Sequence, residues 1–165
     1  MKRTSILLLA ACVLFPVVAT AAVTVNFTKP ENYTDMPLSS WDRESTLKTL
    51  QAHFDKLGAT LPAGQDLKVE VLDIDLAGRI RPTFSYPHEI RVLRGMADWP
   101  MIQLRYSIES KGQVLKSGEE RIADMNYLGH LNRYFSGESL RYEKAMLDDW
   151  FKRTTQLTQP TPSQQ

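Results

Sequence analysis

A run of strictly alternating side chains over residues 101–109 constrains the fold of this chain more than any other feature. The apolar residues of this run are Ile102, Leu104, Tyr106 and Ile108, and they alternate with Gln103, Arg105, Ser107 and Glu109. This period of two is typical of a β-strand with one buried face. Lys111-Gly112 follows, and glycine accepts the positive φ of a tight turn. Residues 113–125 are therefore expected to return as an antiparallel strand.

A second strand-length run changes phase in its middle. Its apolar residues are Leu67, Val69 and Val71 on one parity and Leu72, Ile74 and Leu76 on the other. A β-bulge between Val71 and Leu72 would keep all six on one face and would align Glu70, Asp73 and Asp75 on the other. A strand covered on both faces would need no bulge, so both alternatives stay open. The returning strand also mixes parities, and we expect its irregularity at Ser117-Gly118.

In two stretches the apolar residues are spaced as in an amphipathic helix. The spacing of Leu47, Leu50, Phe54 and Leu57 predicts an amphipathic helix from Trp41, with Gly58 ending it at a positive φ. His53 flanks this apolar stripe and is expected at the helix surface or at the core boundary. A second helix is predicted from an N-cap at Ser136, with Leu140, Leu147 and Phe151, flanked by Met146 and Trp150, on its apolar face.

Shorter strands are predicted at residues 23–27 and 90–92, so the order is strand, helix, several strands, helix. Each apolar sheet face and helix stripe must be buried against a second layer. We therefore expect an α+β two-layer sandwich, with two helices packed on one face of a mainly antiparallel four- to five-stranded sheet. This single domain would span residues 23–153, followed by a disordered polar tail over residues 154–165.

The first 22 residues are predicted to be a secretory signal peptide. Residues 1–4 form a short segment with two basic residues, and residues 5–18 form a mainly apolar stretch. Ala19-Thr20-Ala21 then provides small residues for cleavage after Ala21 or Ala22. About 14 apolar residues are too few to span a membrane, which needs roughly 20. Lipoprotein processing at Cys12 is the alternative, but the apolar stretch before Cys12 is very short. The expected location is the periplasm.

Removal of this leader determines the net charge and the cysteine content of the remaining chain. Lys2 and Arg3 account for two of the 20 basic residues, so the mature chain would carry 18 against 19 acidic residues, a net charge of −1. Such a balance argues against nucleic-acid binding, which needs a surplus of positive charge. Cys12 is the only cysteine, which leaves no disulfide and no thiolate. The three histidines lack metal-ligand spacing, so neither a cofactor nor a metal site is predicted.

Residues 79–99 form the first candidate site. They carry four arginines interleaved with aromatic residues, and the candidates are Arg79, Arg81, Tyr86, Arg91, Arg94 and Trp99. Guanidinium groups and flat aromatic faces together suit an anionic or sugar-bearing ligand. The alternative interpretation is a solvated loop whose arginines pair with acids elsewhere.

Acidic residues form the second candidate set, namely Asp73, Asp75, Glu119 and Glu120. Glu119 and Glu120 point to opposite faces of their strand, so one of them could lie against the apolar layer. A desolvated carboxylate there would have a raised pKa, as general acids do. A small carboxylate-dependent periplasmic hydrolase is therefore the alternative function, and a solvated strand with structural ion pairs is the simpler interpretation.

Several segments in combination resemble one known family. These are residues 23–27, 61–65, 69–78, 98–100, 104–106, 117–120, 140–144 and 147–151. Together they resemble the family catalogued as domain of unknown function 3016, which comprises exported proteins of Gram-negative bacteria. The resemblance implies a cellular location and no catalytic residue. The expected function is a non-catalytic binding or assembly module of the cell envelope, with an anionic or sugar-bearing envelope component as its partner.

Overall fold

The computed structural model describes residues 21–81, 90–95 and 97–156. Two α-helices, six strands and one short 3₁₀ turn (Pro30–Asn32) are present in this part of the chain. In chain order the elements are β1 (Val23–Phe27), α1 (Ser40–Gly58), β2 (Gln65–Asp75), β3 (Arg79–Arg81), β4 (Ile90–Val92), β5 (Met101–Ser110), β6 (Gln113–Ala123) and α2 (Arg141–Gln156).

The main sheet has four strands in the order β1-β2-β5-β6. β1 pairs with β2 in parallel, and the β2–β5 and β5–β6 pairs are antiparallel. The parallel pair needs a crossover connection, which α1 provides. β3 and β4 form a separate two-stranded hairpin. The prediction of an α+β fold with a mainly antiparallel sheet is therefore confirmed.

The phase change in β2 is a β-bulge. Val71 pairs with Leu104 and Asp73 pairs with Gln103, which leaves Leu72 as the additional residue. The bulge keeps Val71 and Ile74 fully buried. Of the two alternatives that the sequence left open, the structure has the bulge, with Leu72 itself only half-buried.

The irregularity in β6 does not lie at Ser117-Gly118, and that prediction was wrong. Ile108 pairs with Lys116 and Glu109 with Val114, so Leu115 is the additional residue. Gly118 stands opposite Tyr106 in a regular register, where a Cβ atom would lie 3.1 Å from the tyrosine ring. Glycine therefore gives room to an aromatic ring there and does not interrupt the strand.

Trp150 lies at the centre of the core. It is fully buried, and its ring makes edge contacts with Phe54 of α1 and Tyr106 of β5 at centroid distances of 6.4 and 5.4 Å. Leu147, one turn earlier in α2, is also fully buried. Both helices and the apolar face of the main sheet thus contribute to one hydrophobic core, as expected for Leu147 and Trp150.

The helix ends differ from those predicted. Gly58 is the last residue of α1 and has no positive φ. A Cβ atom at Gly58 would overlap the side chain of Val23, so close packing explains this glycine. α2 begins at Arg141 and not after Ser136, because Leu140 adopts a φ of 55° and its carbonyl accepts the first helical hydrogen bond, from Lys144. α2 ends at Gln156, three residues into the predicted tail, and residues 157–165 lie outside the described part.

Candidate functional site

The β3–β4 hairpin presents two arginines on one face. Arg79 pairs with Val92 and Arg81 with Ile90, and directly paired residues of an antiparallel ladder share a face. Both arginines are exposed, and Ile90 and Val92 are 40% and 37% exposed. We call Arg79, Arg81, Ile90 and Val92 the outward hairpin face. Its arginine side chains can meet a partner from outside the molecule.

Arg91 faces the opposite way and holds the base of the hairpin. Its guanidinium lies 2.6 Å from Asp35 Oδ2, and the same nitrogen donates to the carbonyl oxygen of Gly78 at 3.1 Å. Longer contacts of 3.4–3.5 Å reach the carbonyls of Ala77 and Leu76. Because these contacts tie its guanidinium to Asp35 and to the turn before β3, Arg91 positions the hairpin and is not counted among the arginines that can reach a ligand.

A buried glutamate that the sequence analysis missed holds the same turn. Glu143 of α2 is 2% exposed, and its Oε1 accepts the backbone N–H of Ala77 at 2.8 Å. Burial raises the pKa of Glu143, although the hydrogen bond from Ala77 opposes the rise. Its spacing from Leu140 and Leu147 could have revealed it, since an acid at a core position of an amphipathic helix needs a partner.

In the sequence, Arg94 precedes and Trp99 follows a buried aspartate, Asp98. Asp98 is 5% exposed and accepts the Arg94 backbone N–H and the Tyr127 hydroxyl, each at 2.7 Å. Burial, with Asp98 next in effect, raises the pKa of Tyr127 to about 12. These bonds hold the backbone after β4 in place while the Arg94 side chain is exposed. Trp99 is half-buried, and Tyr86 lies outside the described residues.

The acidic candidates of β2 are engaged in local contacts. Asp73 accepts both the backbone N–H and the hydroxyl of Thr34, each at 2.7 Å. Asp75 lies 3.6 Å from the Arg79 guanidinium. Burial raises the pKa of Asp75, and the charge of Arg79 opposes this effect. Neither residue stands next to Glu119 or Glu120 in the sheet register.

The two acids of β6 point to opposite faces, as the sequence analysis expected. Glu119 pairs across the sheet with Arg105, whose Nε lies 2.7 Å from its carboxylate. This bond lowers the pKa of Glu119, and Arg105 also reaches Glu70 at 3.2 Å. Glu120 stands opposite Leu104 on the other face but is exposed. The arrangement is an exposed ladder of ion pairs and not two carboxylates converging on a cleft.

His53 is buried, contrary to the prediction of a surface or boundary position. It is 4% exposed, and its Nε2 lies 3.0 Å from Asp148 Oδ1 of α2. Asp148 Oδ2 also accepts the Tyr134 hydroxyl at 2.8 Å and lies 3.2 Å from the Arg133 guanidinium. Burial lowers the pKa of His53, and the charge of Asp148 opposes the fall. The histidine therefore links α1 to α2.

An open cleft of about 390 Å³ lies beside this cluster. Its walls include His53 and Tyr134, and Lys48 and Lys56 of α1 line it together with Lys144 of α2. Lys144 already pairs with Glu138 at 2.8 Å. Among the described residues, no three His, Asp or Glu side chains lie close enough together to hold a metal ion. Neither described helix is both long and apolar enough to cross a membrane.

Distant similarities to solved structures cover most of the chain. A protein of the family DUF330 from Xanthomonas campestris is 12% identical over 87% of this chain and 84% of its own, with a TM-score of 0.32. A dodecamer of a PelC variant from Paraburkholderia phytofirmans is 11% identical over 88% and 94%, with a TM-score of 0.31. A minor lipoprotein from Acinetobacter baumannii is 16% identical over 87% and 93%, with a TM-score of 0.23.

Sequence comparison places the chain in one family. No curated protein matches it significantly. The profile of the family described as "Protein of unknown function (DUF3016)" matches residues 21–153, which is nearly all of the described part. The match agrees with the resemblance found in the sequence motifs, and the chain therefore belongs to the DUF3016 family.

Proposed function

We propose that this chain is a non-catalytic binding or assembly module of the cell envelope, and that it binds an anionic or sugar-bearing component through Arg79, Arg81 and Arg94. The observation that carries the proposal is the exposure of Arg79 and Arg81 on the hairpin and of Arg94 just after it, with the hairpin base held by Arg91 and Glu143. Residues 79–81 and 90–95 contain four arginines and no acid. A held cationic surface of this kind suits phosphate or carboxylate groups.

The envelope location is part of the same proposal and is supported by the leader. The basic residues, the apolar stretch and Ala19-Thr20-Ala21 are typical of export with cleavage after Ala21 or Ala22. The mature protein would then work in the periplasm. We also infer that residues 23–153 form one domain in which both helices cover the same face of the main sheet, since their apolar residues join one core with that face.

A carboxylate-dependent hydrolase is the weaker alternative. It would need Glu119 or Glu120 to act together with Asp73 or Asp75. Glu119 instead pairs with Arg105, and Asp73 accepts two hydrogen bonds from Thr34. Since general acid–base chemistry needs a carboxylate that can reach a substrate, these partners favour binding over catalysis.

The test replaces the three exposed arginines together, in R79S/R81S/R94S. Arg91 is kept, because its loss would disturb the hairpin itself. The matched control, K48S/K152S/R153S, removes three exposed cations from the helices. After circular dichroism has shown native spectra, each protein is used to capture partners from envelope extract at low and high salt.

We expect the arginine variant to lose partners that the wild type and the control retain. The wild type itself should lose them as salt rises, because exposed charges are screened. An unchanged set of partners on the folded arginine variant would contradict the proposal.

A further inference from the structure

The outward hairpin face is aliphatic as well as cationic. Arg79 and Arg81 are its charged residues, and Ile90 and Val92 stand directly opposite them on the same face. Leu93, the next residue along the chain, is 38% exposed and lies beside Gly78 and Arg91 at the other side of the hairpin base. Apart from Ile80 and Gly95, every described residue between 79 and 95 is thus an arginine or an exposed aliphatic residue.

The loop after β6 brings a further exposed aliphatic residue close to the chain after β4. Leu128 is 48% exposed, and its Cδ1 lies 3.3 Å from the position of a Cβ atom at Gly95. The Gly95 backbone N–H donates to the Tyr127 hydroxyl at 3.3 Å, which holds the loop against the chain after β4. Leu131, three residues further along, is completely exposed. An exposed aliphatic side chain of a second segment, Leu128, therefore lies beside the chain that follows β4.

We infer that the partner of this surface is a lipid membrane with anionic headgroups, an inference that rests on the proposed binding function. A membrane interface presents phosphate groups directly above acyl chains, so it offers charge to the arginines and an apolar layer to the aliphatic side chains. A soluble anion would leave Ile90 and Val92 without a partner. Charge complementarity and the adjoining aliphatic residues together select the lipid surface.

The structure also explains how the hairpin can meet a membrane without refolding. Arg91 binds Asp35 and the carbonyl of Gly78, and Glu143 binds the Ala77 backbone N–H. These bonds connect the hairpin base to α2 and to the segment before α1. A surface that is already ordered loses less conformational entropy on binding, so a few residues can suffice.

The experiment measures co-sedimentation of the exported protein with two kinds of vesicle. One kind is phosphatidylcholine containing phosphatidylglycerol, and the other is phosphatidylcholine alone. We expect binding to the anionic vesicles, weakened by salt, and much less to the neutral ones. R79S/R81S/R94S should bind the anionic vesicles about a hundredfold more weakly, because each basic residue near an anionic surface contributes about fivefold.

A second variant, I90S/V92S, tests the aliphatic contribution. We expect it to lose about tenfold in vesicle affinity, the range for removing two partly inserted aliphatic side chains, while keeping its salt dependence. The control V114S/L115S changes two exposed aliphatic residues of β6, 58% and 45% exposed, and should bind like the wild type. Circular dichroism checks the fold of each variant.

Three outcomes would overturn the lipid assignment. They are equal binding to both kinds of vesicle, wild-type affinity of the folded aliphatic variant, and no binding to either kind of vesicle. If vesicles are not bound but the arginine variant still loses its partners from envelope extract, the partner is a soluble anion or an acidic protein. The proposed function then stands without the lipid inference. If the folded R79S/R81S/R94S variant binds anionic vesicles and captures extract partners as the wild type does, both proposals fail.

Discussion

At the scale of single residues, Leu147 gives the most direct test of the core. It is fully buried in the cluster around Trp150. We expect Leu147→Ala to lower the free energy of unfolding by about 2–5 kcal/mol, because it removes buried methyl groups and leaves a cavity. The control, Leu131→Ala, alters a completely exposed leucine and should change stability by less than about 0.5 kcal/mol. Urea titration measures both, and similar losses in the two variants would show that the buried face of α2 is misassigned.

His53 should make stability depend on pH. Burial holds its pKa in the folded protein below the unfolded value of about 6.5, so the unfolded chain binds the proton more readily. The contribution of His53 to stability should therefore fall as the pH drops below about 6.5 towards the pKa of His53 in the folded protein. The groups that face the ring are Asp148, which opposes this effect, and the cations Lys144 and Lys56, which add to it.

The measurement for His53 is urea titration between about pH 5 and pH 8, the range in which an ordinary histidine titrates. His53→Gln should remove this contribution to the pH dependence. His130→Gln makes the same substitution at an exposed histidine and is the control for it. A His53→Gln variant whose stability changes with pH as that of the wild type does would contradict the assignment.

The residues that the sequence misplaced are those with partners far away in the chain. Asp148 lies four residues from both Lys144 and Lys152, a spacing that favours ion pairs within one helix. In the structure it binds His53 and Tyr134 instead. Periodicity marks a buried face, but it does not identify which polar residue of one helix meets which residue of another.

At the scale of elements, Gly58 controls the contact between α1 and β1. Alanine normally favours a helix over glycine. Gly58→Ala should nevertheless lower stability, by about 1–3 kcal/mol, because its Cβ overlaps Val23.

Shortening Val23 provides the matched test. In V23A/G58A the overlap is relieved, so the double variant should lose less than the sum of the two single variants. Gly137→Ala, with open space around the added Cβ, is the neutral control. Additive losses in the double-mutant cycle would show that the two residues do not interact.

Glu143 connects α2 to the turn before β3, and its ionisation should oppose folding. The pKa of Glu143 is raised by burial, so the unfolded chain releases this proton at a lower pH than the folded protein does. Stability from this group is thus present below the unfolded pKa of about 4.3 and is lost as the pH rises towards the folded pKa.

Two substitutions separate the charge of Glu143 from its hydrogen bond. Glu143→Gln keeps an oxygen that can accept from Ala77, so its stability relative to the wild type should increase as the pH rises. Glu143→Ala leaves the buried Ala77 N–H without this acceptor and should be less stable than Glu143→Gln at every pH. Thermal unfolding across pH measures both, and a pH-independent difference between Glu143→Gln and the wild type would contradict the raised pKa.

Regular elements could be predicted from the sequence more securely than their irregularities. The alternation in β5 and the turn at Lys111-Gly112 identified a hairpin, and both turn residues have a positive φ. The mixed parities of β6 indicated an irregularity but not its position at Leu115, because Val114 and Leu115 are both exposed and apolar. Where neither face of an edge strand is covered, hydrophobicity does not determine the register.

At the scale of the whole molecule, the candidate site could be predicted only in part. The arginines of residues 79–94 were recognised by composition, yet nothing in their spacing separated Arg91 from the others. The hairpin register divides them, because Arg79 and Arg81 share one face while Arg91 stands opposite Ile80 on the other. Composition suggested the ligand class, and only the fold shows which arginines can reach it.

The proposed export makes a final prediction about the start of the mature chain. Ala22 precedes β1, its backbone nitrogen lies 3.0 Å from Asp66 Oδ1, and its carbonyl accepts the Leu67 N–H at 2.9 Å. Cleavage after Ala21 would convert this nitrogen into an ammonium group beside a carboxylate, so the new terminus would gain a charged partner. Cleavage therefore leaves β1 complete and its pairing with β2 intact.

Mass spectrometry of the protein recovered from the periplasm should show an N-terminus at Ala22 or Val23. Processing after Ala21 would also make Asp66→Asn more destabilising in the exported protein than in a form retaining residues 1–21, because only the exported protein has the ammonium partner. Exposed pairs of this kind contribute up to about 1 kcal/mol, which sets the size of the difference expected in urea titration. An acylated Cys12 would instead place a lipid anchor before β1 and would overturn the prediction of a cleaved, unanchored chain.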